Sequence, residues 1–157
     1  MTTPLTLVDA IVPPEWVDYN GHMNDATYAV AFSRAVDLFI EHLGMDAAFR
    51  SREQLSVYTL ETHTRFLRES FERERLLVDL QLLDRDAKRA HVFLRLLDEH
   101  SSVRATSEQM LMAMDMHAGR PTAFRGEPAQ RLDALAQEHR ELAPPDGAGR
   151  RIGLAKR

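Results

Sequence analysis

The chain has 157 residues, 44% of them apolar and 28% charged, which suits one soluble domain with a single core and excludes a disordered or membrane-embedded class. It has no cysteine, so disulfides, thiolate metal sites and a Cys nucleophile are excluded. The net charge is −4, yet Arg150, Arg151, Lys156 and Arg157 put +4 into the last eight residues, leaving −8 on the preceding 149 and arguing against a broadly basic nucleic-acid surface.

No apolar run approaches the roughly 20 residues of a membrane span. The opening MTTPLTLVDAIVPP lacks the basic and long apolar regions of a signal peptide, so a cytoplasmic location is expected. Leu5 to Val12 has the β-branched and apolar content of a short strand, which Pro13-Pro14 stop because proline donates nothing to a ladder. A polar loop follows, Asp18-Tyr19-Asn20-Gly21-His22-Met23-Asn24-Asp25. Asn24 or Asp25 suits an N-cap, and from there Ala29, Phe32, Val36, Phe39 and Leu43 recur at helical spacing, widened by Tyr28, Ala31, Ala35 and Leu38. Gly44 ends this helix as a left-handed cap.

Met45 to Gln54 reads as a polar connection with room for one helical turn. The period then changes from 3.6 to 2. Ser56 to Leu67 sets Tyr58, Leu60, Thr62, Thr64 and Phe66 against Val57, Thr59, Glu61, His63 and Arg65, predicting a strand. Leu76 to Leu83, Arg89 to Leu97 and Val103 to Met116 predict three more, and short polar connections predict antiparallel pairing. A second helix is expected from Pro128 to about Leu142, ended by Pro144-Pro145. Residues 1–143 therefore form one domain, and 144–157 a loosely held basic tail. An antiparallel sheet with one long apolar helix must bury a face on that helix, giving an α+β two-layer architecture. Its open edges call for a second copy.

This order, with D-Y-N-G-H-M-N-D-x-x-Y at the mouth of the long helix, resembles the hotdog fold, an antiparallel β-sheet wrapped around one central α-helix. In particular it resembles the acyl-CoA thioesterases of the 4-hydroxybenzoyl-CoA type, from Thr6 to about Asp115. The resemblance implies hydrolysis of a small acyl-CoA thioester, with coenzyme A as part of the substrate and no separate cofactor. It further implies homodimers or homotetramers that admit substrate at a subunit interface, and Asp18 as the catalytic carboxylate. The run VPPEWVDYNGHMNDATYAVAFSRAVD also looks like thioesterases associated with carnitine and betaine catabolism, which suggests betainyl-CoA.

Thioester hydrolysis needs a group that attacks or activates water and a donor for the developing oxyanion. Asp18 fits the first role, although an Asp there also closes an Asx-turn. The amides of Asn24, Asp25 and Ala26 fit the second, being unpaired at the positive end of the helix. Gly21 gives clearance, since no Cβ stands in the way. His22 fits a carbonyl donor, an orienting group for Asp18 or a proton shuttle, and fits a loop stitch equally well. Asn20 is a positioning candidate, and Asn24 is better read as the cap.

The seven histidines are scattered without metal-ligand spacing, so no metal is expected. Glu61 and His63 share one strand face, opposite Tyr58 and Thr62, and either pair is a candidate for the substrate. Trp16, Tyr19, Tyr28 and Tyr58, with Glu61 for charge, are candidates for an aromatic cage around a trimethylammonium, or for ordinary packing. Arg65, Arg68, Lys88, Arg89, Arg150 and Arg151 are candidates for CoA phosphates. Two rival readings stand beside the thioesterase. A hotdog enoyl-CoA hydratase would carry D-x-N-P-x-H, from which Asp18-Tyr19-Asn20-Gly21-His22 departs by its length and by Gly in place of Pro. A non-catalytic acyl-CoA-binding protein would use the fold alone.

Overall fold

A computed structural model describes residues 1–155; Lys156 and Arg157, two of the four basic tail positions, lie outside the described residues. The strands are β1 (Leu5–Ile11), β2 (Leu55–Phe66), β3 (Arg75–Arg85), β4 (Arg89–Asp98), β5 (Val103–Asp115) and the short β6 (Arg120–Pro121). The helices are α1 (Asp25–His42), α2 (Ala47–Glu53) and α3 (Glu127–His139). All pairings are antiparallel, in the order β1-β3-β4-β5-β2, with β6 beside β5. This curled sheet holding one long helix is the expected hotdog fold.

α1 buries Tyr28, Ala31, Phe32, Ala35, Val36, Phe39 and Ile40 against the sheet. Alanines at two of these positions let the helix lie close. Ala29, expected on that face, is exposed, whereas Phe32, Val36, Phe39 and Leu43 are buried as expected. Gly44 at φ +88 turns the chain out of the helix as expected. The next segment exceeds a single turn: Asp46 accepts from the Phe49 amide and caps the seven-residue α2. α3 ends at His139, three residues before the expected limit, and packs Leu132 and Leu135 into the core.

The strand β2 departs from simple alternation. Thr59 pairs with Leu111 but Glu61 pairs with Met110, so Leu60 is a bulge. On the helix side Leu55, Val57 and Thr59 are followed, across the bulge, by Thr62, Thr64 and Phe66. Tyr58 therefore shares the opposite, outer face with Glu61, His63 and Arg65, and the expected separation of Tyr58 from Glu61 and His63 is corrected by one inserted residue.

The segment expected to be loosely held crosses this outer face and is fastened there. Just before it Gln81 donates to the carbonyl of Ala143 at 3.1 Å, and within it the Gly149 amide donates to Glu108 Oε2 at 2.8 Å. Arg65 occupies the space a Cβ on Gly147 would need. Residues 150–155 are exposed.

Candidate active site

The loop that carries Asp18 is shaped by its own backbone. The Gly21 amide donates to the Asp18 carbonyl at 3.0 Å, and the Asp18 amide donates to the His22 carbonyl at 2.9 Å. Gly21 adopts φ +79, which explains the glycine; nothing lies within 4 Å of a Cβ placed there, so crowding by the chain does not. Asp18 Oδ1 accepts from the Asn20 amide at 2.8 Å, the Asx-turn, and the residue also lines a cleft.

The helix mouth stands beside it. Asn24 caps α1, its Oδ1 accepting from the Ala26 amide at 3.0 Å, and Asp25 Oδ1 accepts from the same amide at 2.9 Å. The Asn24 amide donates to the Trp16 carbonyl at 2.8 Å. Of the three amides expected to be open, that of Asp25 alone makes no hydrogen bond among the described residues. Among the described residues the Asp25 amide is thus the one of the three open to a further acceptor at the helix mouth.

The facing wall comes from the loop between β2 and β3. The Met23 amide donates to the Ser70 carbonyl at 2.7 Å, and His22 bridges to Phe71. The His22 ring stands edge-on to Phe71 with centroids 5.1 Å apart, and its Nε2 lies 3.2 Å from Glu69 Oε2. Tyr28 of α1 meets Phe66 of β2 edge to face at 5.3 Å. Asp18, His22, Met23, Asp25, Tyr28, Phe66, Leu67, Arg68 and Glu69 enclose a cleft of about 290 Å³. Glu69, Phe66 and Phe71 were not singled out from sequence. The motif F-L-R-E-S-F closes a strand whose face assignment depends on a bulge the sequence does not mark, and long-range contacts, Met23 to Ser70 and His22 to Phe71, bring it to the site.

Other expected residues lie elsewhere. Tyr19 projects into solvent, 97% exposed, and Trp16 is half-buried against the core. Asn20 contributes its amide to the turn, with its side chain exposed. Glu61, His63 and Arg150 line a separate cleft on the outer face with His91 and Glu108, where His91 Nε2 and Glu108 Oε1 are 2.7 Å apart. That face is turned away from Asp18, and Tyr58 belongs to it, so the Trp16, Tyr19, Tyr28, Tyr58 and Glu61 set is not assembled. Arg89 is engaged by Asp86 Oδ2 at 2.5 Å, and Lys88 is exposed in the same turn. Arg65 lies under the C-terminal segment and Arg151 is exposed, which leaves Arg68 as the one expected phosphate ligand at the cleft. Among the described residues no three His, Asp or Glu side chains are arranged to hold a metal ion, and no helix is long and apolar enough to cross a membrane.

The arrangement sets a carboxylate, an imidazole and an open helix amide around one space, which can activate water and hold an oxyanion. Residues 12–133 match the thioesterase-like superfamily, a span that holds the whole site. The chain belongs to this superfamily. Among thioesterase-like relatives it is 44% identical over 155 residues to a betainyl-CoA thioesterase of Pseudomonas aeruginosa, covering 98% of both chains. It is 42% identical to an L-carnitine dehydrogenase/betainyl-CoA thioesterase of Rhizobium meliloti, over 96% of this chain and 30% of that longer protein. Its fold matches a Staphylococcus aureus protein solved in complex with CoA, at TM-score 0.92, 29% identity and coverage of 99% and 98%. The thioesterase-like fold also matches a putative thioesterase of Pseudomonas putida at TM-score 0.84 and 31% identity, covering 99% and 100%.

Proposed function

We propose that this protein is an acyl-CoA thioesterase whose substrate is betainyl-CoA, released as the free acid and CoA. The observation that carries the chemistry is the cleft shared by Asp18, His22 and the open Asp25 amide. Asp18 acts on the thioester carbon, either removing a proton from water or attacking directly. The carbonyl oxygen becomes an oxyanion held by the Asp25 amide at the positive end of α1. Collapse breaks the C–S bond: on the water path the CoA thiolate takes the proton Asp18 received, and on the direct path it takes a proton from His22 or solvent while water cleaves the acyl–Asp18 anhydride, freeing the acid and restoring the carboxylate. Arg68 at the cleft rim is the candidate for a CoA phosphate. The P. aeruginosa relative's named substrate supports the betainyl group.

The protein works as a homodimer in this reading. β2 is the twelve-residue open edge of the sheet, with Leu60 53% exposed beside exposed Tyr58, and a second copy's β2 would cover it. A CoA-ester substrate and the lack of a membrane-spanning helix among the described residues support a cytoplasmic location.

The test is thiol release from a panel of acyl-CoA esters, read with an aromatic disulfide to which the cysteine-free protein adds no background. Thiol release that falls about 10²–10⁴-fold in Asp18→Asn is expected. Loss of an enoyl-CoA without thiol release would point instead to a hydratase, and unchanged turnover in Asp18→Asn would remove Asp18 from the chemistry.

A further inference from the structure

The cleft is acidic for a site that must admit a nucleotide: Asp18, Asp25 and Glu69 line it against the single guanidinium of Arg68. Two of the three carboxylates serve the backbone, Asp18 on the Asn20 amide and Asp25 on the Ala26 amide. Glu69 accepts from no amide among the described residues; its contact is His22 Nε2 at 3.2 Å, and its side chain is 62% exposed. A carboxylate held in this position repels the phosphates of CoA and favours a positive charge on the acyl end.

Beside Glu69 stands an aromatic wall. Phe66 and Tyr28 meet edge to face, and Phe66 leaves 55% of its surface open although it is a large apolar ring. A quaternary ammonium has no N–H to donate, so it is recognised by ring surfaces and net negative charge and not by directed hydrogen bonds. Glu69 and Phe66 supply both within one cleft.

We propose that Glu69, with Phe66 at its side, determines specificity for a cationic acyl group, taking the role the outer-face Glu61 cannot reach. The inference rests on the betainyl-CoA reading above. The decisive quantity is the ratio of kcat/KM for betainyl-CoA to that for 3,3-dimethylbutanoyl-CoA, which puts carbon where betaine has its quaternary nitrogen and keeps nearly the same shape. The wild type is expected to favour betainyl-CoA, and Glu69→Gln to lower the ratio at least tenfold. Phe66→Leu is expected to lower it severalfold and reads the proposal independently of how Glu69→Gln folds. A wild type with no preference contradicts the betainyl-CoA reading, and this assignment with it. A preference that survives in Glu69→Gln and Phe66→Leu overturns the Glu69 assignment alone. An equal loss on both substrates, leaving the ratio unchanged, makes Glu69 a positioning group for His22 and also overturns it.

Discussion

Asp18 holds its own turn with one carboxylate oxygen while lining the cleft, so its two roles are coupled. Asn keeps an acceptor for the Asn20 amide and removes the charge, which makes Asp18→Asn a test of chemistry more than of loop shape. At the far end of the chain His139 shows how a single buried group sets pH behaviour. Its Nδ1 accepts from the Leu82 amide at 2.9 Å, which requires the neutral ring. Burial pushes its pKa below the ordinary 6.5. Below that pH the unfolded chain binds a proton that the folded chain refuses, so stability falls as pH drops from 6.5 toward the lower folded value. His139→Asn, which can still accept from Leu82, is expected to flatten this part of a melting-temperature profile. An unchanged slope would contradict the account.

At the scale of elements, the site depends on holding the loop after β2 against the loop before α1. Arg104 of β5 anchors the first of these loops from both ends. Its carbonyl accepts from the amides of Leu67 and Arg68 at 2.9 and 3.0 Å, and its guanidinium donates to the Glu69 carbonyl and, at 2.9 Å, to Asp98 Oδ2. Asp98 is buried and also accepts from the Ser102 and His100 amides. The Ser102 amide, joined by Arg104 and the His100 amide and opposed by burial, holds its carboxyl below the usual carboxylate range. Arg104→Ala leaves that carboxylate without its cation and unties the Glu69 carbonyl, loosening the wall that faces His22. We expect the melting temperature to fall by more than about 5 °C and kcat/KM to fall for cationic and neutral acyl-CoA alike. A melting temperature within about 1 °C of wild type would show that the clamp contributes little.

These elements also mark the limit of what the sequence made legible. The long helix with its apolar face, the antiparallel strands and the polar loop at the helix mouth could be read from periodicity and turn residues. Asp18, Gly21, His22, Asn24 and Asp25 lie close in sequence and were found together for that reason. The facing wall was not visible, because Glu69 and Phe71 reach His22 through a long-range strand contact. The cage went astray for a definable cause: the bulge at Leu60 moves every later residue of β2 to the other face, exchanging Glu61 and His63 for Phe66. The C-terminal segment is held by a few polar contacts, such as Gly149 to Glu108, for which its composition carries no signal.

For the whole molecule the open question of physical consequence is the β2 edge. An exposed twelve-residue edge carrying Leu60 would invite uncontrolled pairing unless a specific partner covers it. Light scattering is expected to give a homodimer or its doubled form, and Leu60→Lys to shift the mass toward the monomer, since a charge on a buried interface is uncompensated. A wild-type monomer would contradict the proposed interface. In the proposed function Asp18 and the mouth of α1 hydrolyse a thioester. Its most direct test is a steady-state measurement of thiol release from betainyl-CoA by the wild type and Asp18→Asn at equal concentration, with folding checked by circular dichroism. Rapid release by the wild type and a loss of about 10²–10⁴-fold in the variant are expected; equal rates, or no release by the wild type from any acyl-CoA, would overturn the proposed function.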